Sequence, residues 1–184
     1  MWKKSSPPVH QIEIRLSKLA ELFNSMDPTP FHHRDLDIDA QEYLESWAMG
    51  FSQDSHFRII VYIEQSTADD PAALVTEAIH NYFEFRATST RRQLRLMMLE
   101  GRTSLIIGLL FLVICLLAAD AIPEHATSTL FRVLKTSLGI GGWVAMWRPM
   151  QTFLYDWWPL ARKVRIFINL SRANIKVFTG KKSP

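Results

Sequence analysis

The first strand is predicted from an alternation of apolar and polar residues at positions 10–16, HQIEIRL. A period of two places the aliphatic side chains on one side and the charged ones on the other, as in a half-buried strand. Residues 57–64, FRIIVYIE, are rich in β-branched and aromatic side chains and predict a second, more deeply buried strand. A third alternation, NIKVF at 174–178, predicts a short strand that can return to the same sheet.

A helix is predicted between the first two strands, after a loop at 27–37 that contains two prolines. Asp39 followed by Glu42 resembles a capping box, with Asp in the place of Ser or Thr. The apolar residues that follow are spaced at helical intervals, so one face of this helix is expected to pack on the core: Tyr43, Leu44, Trp47 and Phe51.

A much longer helix is predicted from Asp70-Pro71, where an N-cap residue precedes a proline at the first helical position. The chain has no strong helix breaker between this point and the apolar run further on, so we expect one long or slightly interrupted helix that continues into a membrane. Its first part should pack on the core through residues at helical spacing: Leu74, Ala78, Ile79, Tyr82 and Phe83.

The apolar run from Ser104 to Ala119 contains no charge and no proline. With its flanks it gives a first transmembrane helix at 103–122, close to the roughly 20 residues that cross about 30 Å of hydrocarbon. The alternative is a buried core helix of a soluble domain, but such a helix is rarely apolar on every face.

A second span is predicted further along the chain, in one of two registers. The register 128–147 contains Arg132 and Lys135 near its start, where long cationic side chains can reach the headgroups. The alternative, 136–158, would place Arg148 near mid-bilayer, at a cost of about 2.5–3.5 kcal/mol or more. We therefore expect the second transmembrane helix at 128–147.

A separate amphipathic helix is expected at 149–158, lying in the plane of the headgroups with Thr152 and Asp156 on its polar face. The remaining residues, 159–184, form a basic tail that can return to the sheet. Aromatic rings of mixed polarity and arginine suit a membrane interface. We interpret the following residues as interface anchors: Trp143, Trp147, Arg148, Tyr155, Trp157 and Trp158.

Basic residues flank the two expected spans on the same side. Five arginines precede the first span, from Arg86 to Arg102, and four basic residues follow the second, from Arg148 to Arg165. The turn expected at 123–127 contains an acidic residue and a histidine instead. The positive-inside rule then places both termini in the cytoplasm.

Arg132 and Lys135 lie three residues apart on one helix face at the opposite, outer end of the second span, which weakens this orientation signal without reversing it. We interpret them as side chains that reach the outer headgroups. The alternative is a cationic patch for an anionic lipid or for a carboxylate of a partner.

Small residues recur at every fourth position of the second span, at Ser137, Gly141 and Ala145, and once in the first span, at Ser104 and Gly108. This spacing lets helix backbones approach closely and predicts a helix-packing face. The contact is either within the helical hairpin or with another membrane protein or a second copy of this chain.

The loop FHHRDLD offers imidazole and carboxylate groups that could bind zinc or another divalent ion: His32, His33, Asp35 and Asp37. Adjacent histidines rarely point at one atom, and no HExxH or CxxC spacing accompanies them. The alternative is that the aspartates bond backbone N–H groups, with Asp37 or Asp39 capping the next helix.

Composition narrows the possible functions. The chain has 184 residues, and its one cysteine, Cys115, excludes an intramolecular disulfide. A net charge of +3 gives no reason to expect nucleic acid as a partner. The N-terminus lacks the apolar stretch of a cleavable signal peptide. Because no nucleophile motif, phosphate-binding loop or dinucleotide fingerprint occurs, we expect neither an enzyme nor a bound cofactor.

Two stretches, LFNSMDPTPFHHRDLDIDAQEYLESWA and GGWVAMWRPMQTFLYDWWP, are distinctive. They resemble an uncharacterised family of bacterial membrane proteins with two predicted spans and an N-terminal cytoplasmic domain, and the resemblance covers most of residues 11–178. It implies a location in the bacterial inner membrane. It assigns no functional residue.

The expected fold is therefore an α+β membrane protein, with a transmembrane helical hairpin and a small cytoplasmic domain formed by residues 1–100 and the tail. The expected function is that of an accessory, regulatory or interaction subunit of a membrane assembly, with the lipid bilayer and another membrane protein or a second copy as partners. The alternatives are a metal- or small-ligand-sensing membrane protein that uses the His32–Asp37 loop, and an oligomeric channel or transport component.

Overall fold

The computed structural model describes residues 8–23, 36–65, 70–122 and 129–180. The chain divides into two compact units. The first contains Met1–Thr90 together with Arg162–Pro184, and the second contains Arg91–Ala161. The two ends of the chain therefore belong to one unit, and the segment between them forms the other.

The first unit is built on a three-stranded sheet: β1 (Val9–Lys18), β2 (His56–Gln65) and β3 (Asn174–Thr179). β2 is the central strand and pairs in parallel with both neighbours. The prediction that the tail returns to the sheet is confirmed, since Val177 is the register partner of Val61. The combination of a sheet with helices agrees with the predicted α+β fold class.

One face of the sheet forms the core. Alternate residues of β1 and β2 are buried, with Ile60 of β2 buried in addition, and the register partners Ile12 and Ile59 are both fully inaccessible. The helices that contribute to the same core are α1 (Ile38–Met49), the first part of α2 (Pro71–Asp120) and the later part of α4 (Trp157–Leu170), and a 3-10 turn at Leu19–Leu22 adds to it. The period-two pattern thus reflects a sheet whose apolar side faces helices.

The predicted core face of α2 is confirmed, because all five of its predicted apolar residues are buried. The prediction for α1 needs two corrections. Its N-cap is Asp37, two residues before the capping box expected at Asp39. Tyr43 is 46% exposed and its hydroxyl donates to the backbone oxygen of Glu13, whereas Ala48 fills the core position instead.

Side chains of α4 bind the segment that leads from α1 to β2. Arg162 donates to the backbone oxygens of Met49 and Phe51, at 2.8 and 3.0 Å, and so satisfies carbonyls that the end of α1 leaves free. Asn169 donates to the backbone oxygens of Gln53 and Ser55, at 2.7 and 3.0 Å. These bonds hold α4 in place so that β3, which follows it, can join β2.

The second unit contains the rest of α2, then α3 (Thr129–Gln151), a π-helical turn (Thr152–Asp156) and the start of α4. Within the described residues, α2 is the one helix with a segment long and apolar enough to cross a membrane, and only 17% of that segment is buried. The span predicted at 103–122 lies inside α2, apart from its last two residues.

The second predicted span, 128–147, falls within α3 apart from residue 128, which lies outside the described residues together with the turn predicted at 123–127. α3 does not end at Trp147 but continues through Pro149, and the π turn joins it directly to α4. The interfacial helix predicted at 149–158 is therefore part of one helical run. α3 has 23 residues but is less apolar than the membrane-length segment of α2, because charged residues, Arg132 among them, lower its hydropathy.

Candidate functional site

α2 and α3 pack against each other through glycines. A Cβ added to Gly108 would lie 3.0 Å from the backbone oxygen of Ala145. A Cβ added to Gly142 would lie 2.8 Å from Cδ1 of Leu112 and 3.3 Å from Cβ of Cys115. Later residues of α2 meet earlier residues of α3, so the two helices run antiparallel. Because glycine has no Cβ, the two helix backbones can approach each other closely at these positions.

The π turn lies where α3 passes Gly101 of α2. A Cβ added to Gly101 would lie 2.9 Å from Cγ2 of Thr152, which is buried. Pro149 has no N–H to donate to the turn before it, and side chains supply bonds nearby. The hydroxyl of Thr152 donates to the backbone oxygen of Arg148 at 3.3 Å, and the indole N–H of Trp157 donates to that of Phe153 at 2.8 Å. Both bonds lie within the helical run that contains the proline.

The predicted small-residue face is divided between two sides of α3. Gly108 and Ala145 meet across the helix pair, and Ser104 is half-buried. Ser137 is exposed, and a Cβ added to Gly141 would meet nothing within 4 Å. The contact expected from Gly141 is made by Gly142.

The buried residues along the contact between α2 and α3 recur every seven positions rather than every four. They are Gly101, Gly108 and Cys115 on α2, and Gly142 and Pro149 on α3.

A cleft of about 500 Å³ opens beside the π turn, within the second unit. We call it the Arg148 cleft. Four of the side chains that line it are charged or amide groups without a hydrogen-bond or ion-pair partner among the described residues: Gln93, Glu100, Arg148 and Asp156. The other lining residues are Leu96, Met97, Gly101, Thr152 and Leu160. The cleft therefore combines one cation and two carboxylates with an apolar wall.

Asp156 and Thr152 were predicted to form the solvent-facing side of an interfacial helix. The structure corrects this for Thr152, which is buried against α2, whereas Asp156 is half-buried at the Arg148 cleft and Tyr155 is exposed. Sequence periodicity misses the cleft because the π turn inserts an extra residue per turn and rotates the faces of the helix. The Pro149 that precedes the turn is the one local signal of it.

The predicted interface anchors lie on the outer surface of the second unit. The most exposed are Trp147 and Trp158, at 70% and 72%, whereas Trp157 is less exposed because its ring bends back to Phe153. A second, shallower cleft of about 510 Å³ is lined by Arg148 and three neighbours along α3: Trp143, Val144 and Trp147. Tyr155 is exposed as well. These rings are placed to contact a surrounding medium rather than a protein core.

Arg132 and Lys135 are exposed on the first turns of α3. Neither forms an ion pair within the described ranges, where the one salt bridge joins Arg86 and Glu45 in the first unit, at 2.8 Å. Their interpretation as headgroup or partner contacts therefore stays a prediction.

The predicted metal ligands His32, His33 and Asp35 lie outside the described residues. Asp37 is described, and its Oδ1 accepts the backbone N–H of Asp39 at 3.0 Å, as a helix cap. Residues 8–23, 36–65, 70–122 and 129–180 contain no group of three His, Cys, Asp or Glu side chains that could hold a metal. The cap is the alternative that the sequence left open for this residue.

Comparison of the chain with protein-family models, with curated proteins and with solved structures yields no match. The resemblance to a family of two-span bacterial membrane proteins therefore stays an expectation. Any function has to be argued from the geometry of this chain.

Proposed function

We propose that this chain is an integral membrane protein with two antiparallel spans that acts as a non-enzymatic accessory or interaction subunit of a membrane assembly. The observation that carries the proposal is the outer surface of α2. Its large aliphatic side chains are exposed, to 69% at Ile106 and 66% at Leu117, whereas Gly108 and Ala119 are buried. Exposing apolar surface to water costs about 25 cal/mol per Å², which favours an environment in which hydrocarbon covers this helix.

The packing of α3 supports a second span. α3 contacts α2 at Gly101, Gly108, Leu112 and Cys115, which covers most of the uncharged stretch of α2. If α2 crosses a bilayer, α3 must lie in the same layer. Its outer surface is suited to that environment, with large apolar side chains exposed along its length: Leu130, Val133, Leu134, Ile140, Trp143 and Val144.

The distribution of basic residues supports an orientation with both termini in the cytoplasm. Four arginines from Arg91 to Arg102 precede the apolar part of α2, and Arg162, Lys163 and Arg165 follow the helix pair in α4. The positive-inside rule assigns both groups to the cytoplasmic side. The bacterial inner membrane is the location proposed on this basis and from the family resemblance.

The face that contains Ser137 and Gly141 is proposed as the contact with another membrane protein or with a second copy. Both residues face away from α2, and small residues on a lipid-facing surface leave room for another helix. Because neither residue takes part in the α2–α3 contact, a partner could bind this face while α2 and α3 stay packed against each other.

Membrane insertion is tested by washing membranes that contain the full chain with alkaline carbonate. An integral protein stays in the pellet, and release into the supernatant would reject the proposed function.

Orientation is tested separately. A single cysteine is introduced at Glu124 in a Cys115→Ser background and labelled from each side of sealed vesicles. Labelling of position 124 from the cytoplasmic side would reject the topology.

The interaction is tested by native mass spectrometry after extraction in mild detergent. The wild-type chain is expected to retain a stoichiometric partner or a second copy, and Gly141→Leu is expected to lose it. Gly139→Leu makes the same substitution on another side of α3, where an added Cβ also meets nothing within 4 Å, and as the matched control it should retain the partner. A single-chain mass for the wild type would contradict the role as an interaction subunit. Equal retention of the partner by all three proteins would contradict the assignment of the contact to the face with Ser137 and Gly141.

A further inference from the structure

We propose that the Arg148 cleft binds the headgroup of a zwitterionic phospholipid whose cationic end is a primary ammonium, as in phosphatidylethanolamine. The inference rests on the proposed function, because the cleft meets such a lipid only if the helix pair lies in a bilayer. The charged side chains of the cleft form no hydrogen bond or ion pair among the described residues, so a ligand would give them partners.

The position of Arg148 along the helix pair points to a lipid phosphate. On α3, Arg148 lies between the residues that contact Gly101 and Gly108 of α2, which places it level with the start of the uncharged stretch of α2. A guanidinium at the edge of hydrocarbon must reach headgroups or bind an anion. Guanidinium and phosphate form strong, bidentate hydrogen bonds.

Arg148 has no anionic side chain bonded to it, although two line the same cleft. The one salt bridge among the described residues is elsewhere, in the first unit. Glu100 and Asp156 are thus available to accept hydrogen bonds from a ligand, and the exposed amide of Gln93 can donate one to it. The cleft presents a donor site and an acceptor site together.

The excess of carboxylates selects the headgroup. Glu100 and Asp156 outnumber Arg148, so a headgroup with a phosphate alone would be repelled by the remaining negative charge. A primary ammonium offsets one of the two carboxylate charges and donates up to three hydrogen bonds to the carboxylates. A quaternary choline group carries the same charge but has no N–H to donate, so it should bind less tightly.

The acyl region of a lipid suits the second cleft, which shares Arg148 and extends along α3 towards the middle of the proposed bilayer. Trp143, Val144 and Trp147 line it, and Val144 is 66% exposed. An acyl chain bound there would cover these side chains. A soluble phosphoester with the same polar groups would lack this contribution and should bind less tightly.

The experiment measures lipid binding to the full chain in mild detergent by native mass spectrometry. Phosphatidylethanolamine, phosphatidylcholine and phosphatidylglycerol with the same acyl chains are added in equal amounts. We expect the wild type to retain phosphatidylethanolamine in clear preference to the other two. Equal retention of phosphatidylcholine, or a preference for phosphatidylglycerol, would overturn the proposal.

Three variants locate the binding. Arg148→Gln should weaken phosphatidylethanolamine binding by about tenfold or more, as expected for loss of a charge-assisted pair. Glu100→Gln should reduce the preference over phosphatidylcholine. Arg132→Gln removes a cation at the other end of α3 and should leave both unchanged. Unchanged binding in Arg148→Gln, with the wild-type melting temperature, would also overturn the proposal.

Free phosphoethanolamine, which has no acyl chains, separates a lipid from a soluble ligand. It should displace the lipid only at far higher concentration, and displacement at a comparable concentration would overturn the assignment to a lipid. The carbonate wash keeps this result apart from the proposed function. A chain that stays in the membrane pellet but shows no lipid preference refutes this inference alone.

Discussion

Gly142 of α3 faces Leu112 of α2 so closely that an added Cβ would lie 2.8 Å from Cδ1 of the leucine. Gly141, the next residue towards the N-terminus, would meet nothing within 4 Å. Two adjacent glycines in one helix therefore have opposite environments. One permits the contact between the helices, and the other leaves a recess on the outer surface.

The first prediction compares leucine at these two positions. Gly142→Leu should destabilise the helix pair by about 1–3 kcal/mol, because the side chain has no space and the helices must separate. Gly141→Leu should leave stability unchanged. The measurement is the unfolding midpoint in detergent, followed by circular dichroism. Equal destabilisation by both substitutions would show that the contact is not formed as described.

The second prediction concerns Arg86 and Glu45, whose side chains are 44% and 21% exposed. A double-mutant cycle with Arg86→Gln and Glu45→Gln should give a coupling energy below about 1 kcal/mol, since solvent screens the pair. The coupling should fall as salt is added. Glu84→Gln removes an exposed carboxylate of α2 and serves as the control. A coupling of several kcal/mol that is insensitive to salt would contradict this account.

The third prediction tests the return of the tail to the sheet. Val177 packs against the core, whereas Lys176 beside it is exposed on the opposite face of β3. Val177→Asp should lower the free energy of unfolding by about 1–3 kcal/mol, because a charge is forced against apolar neighbours. Lys176→Asp should change it by less than about 0.5 kcal/mol. If the two substitutions have the same effect, β3 does not pack as described.

The fourth prediction concerns Asn169, which bonds the backbone oxygens of Gln53 and Ser55. Asn169→Leu keeps the branched shape of the side chain but removes both bonds and leaves these carbonyl oxygens without their donor. The expected loss is about 1–3 kcal/mol in the free energy of unfolding by denaturant. Asn174→Leu, at an exposed asparagine that starts β3, is the control. A neutral effect of Asn169→Leu would mean that water replaces the amide at no cost.

The fifth prediction separates the two roles considered for Asp37. As an N-cap, it should tolerate Asp37→Asn, whereas Asp37→Ala should cost about 0.5–2 kcal/mol of stability. Neither result should depend on added zinc. If zinc raises the melting temperature of the wild type but not of Asp37→Asn, the residue is a metal ligand, and the His32–Asp37 loop becomes the functional site.

The strands, their buried faces and the first part of α2 could be predicted because each depends on a local period. Ile12 and Ile14 alternate with polar residues and so share one face of β1, and both are buried. Phe83 lies at helical spacing from Ile79, so the two share the buried face of α2. These patterns fix which side of an element faces the core. They carry no information about the direction of neighbouring strands, so the parallel pairing of β1, β2 and β3 is a finding of the structure.

The amino-acid sequence by itself determined the apolar segment of α2, the three strands and the core face of the first part of α2. It did not determine α4, which lies where a basic tail was expected and adds Phe167 to the core. Only the tertiary structure decided that Gly142 rather than Gly141 packs on α2, and that Pro149 lies within a helix. It also brings Glu100 and Arg148, 48 positions apart in the sequence, to one cleft. The physical reason is that periodicity describes one element at a time, whereas helix contacts and clefts depend on how two elements pack.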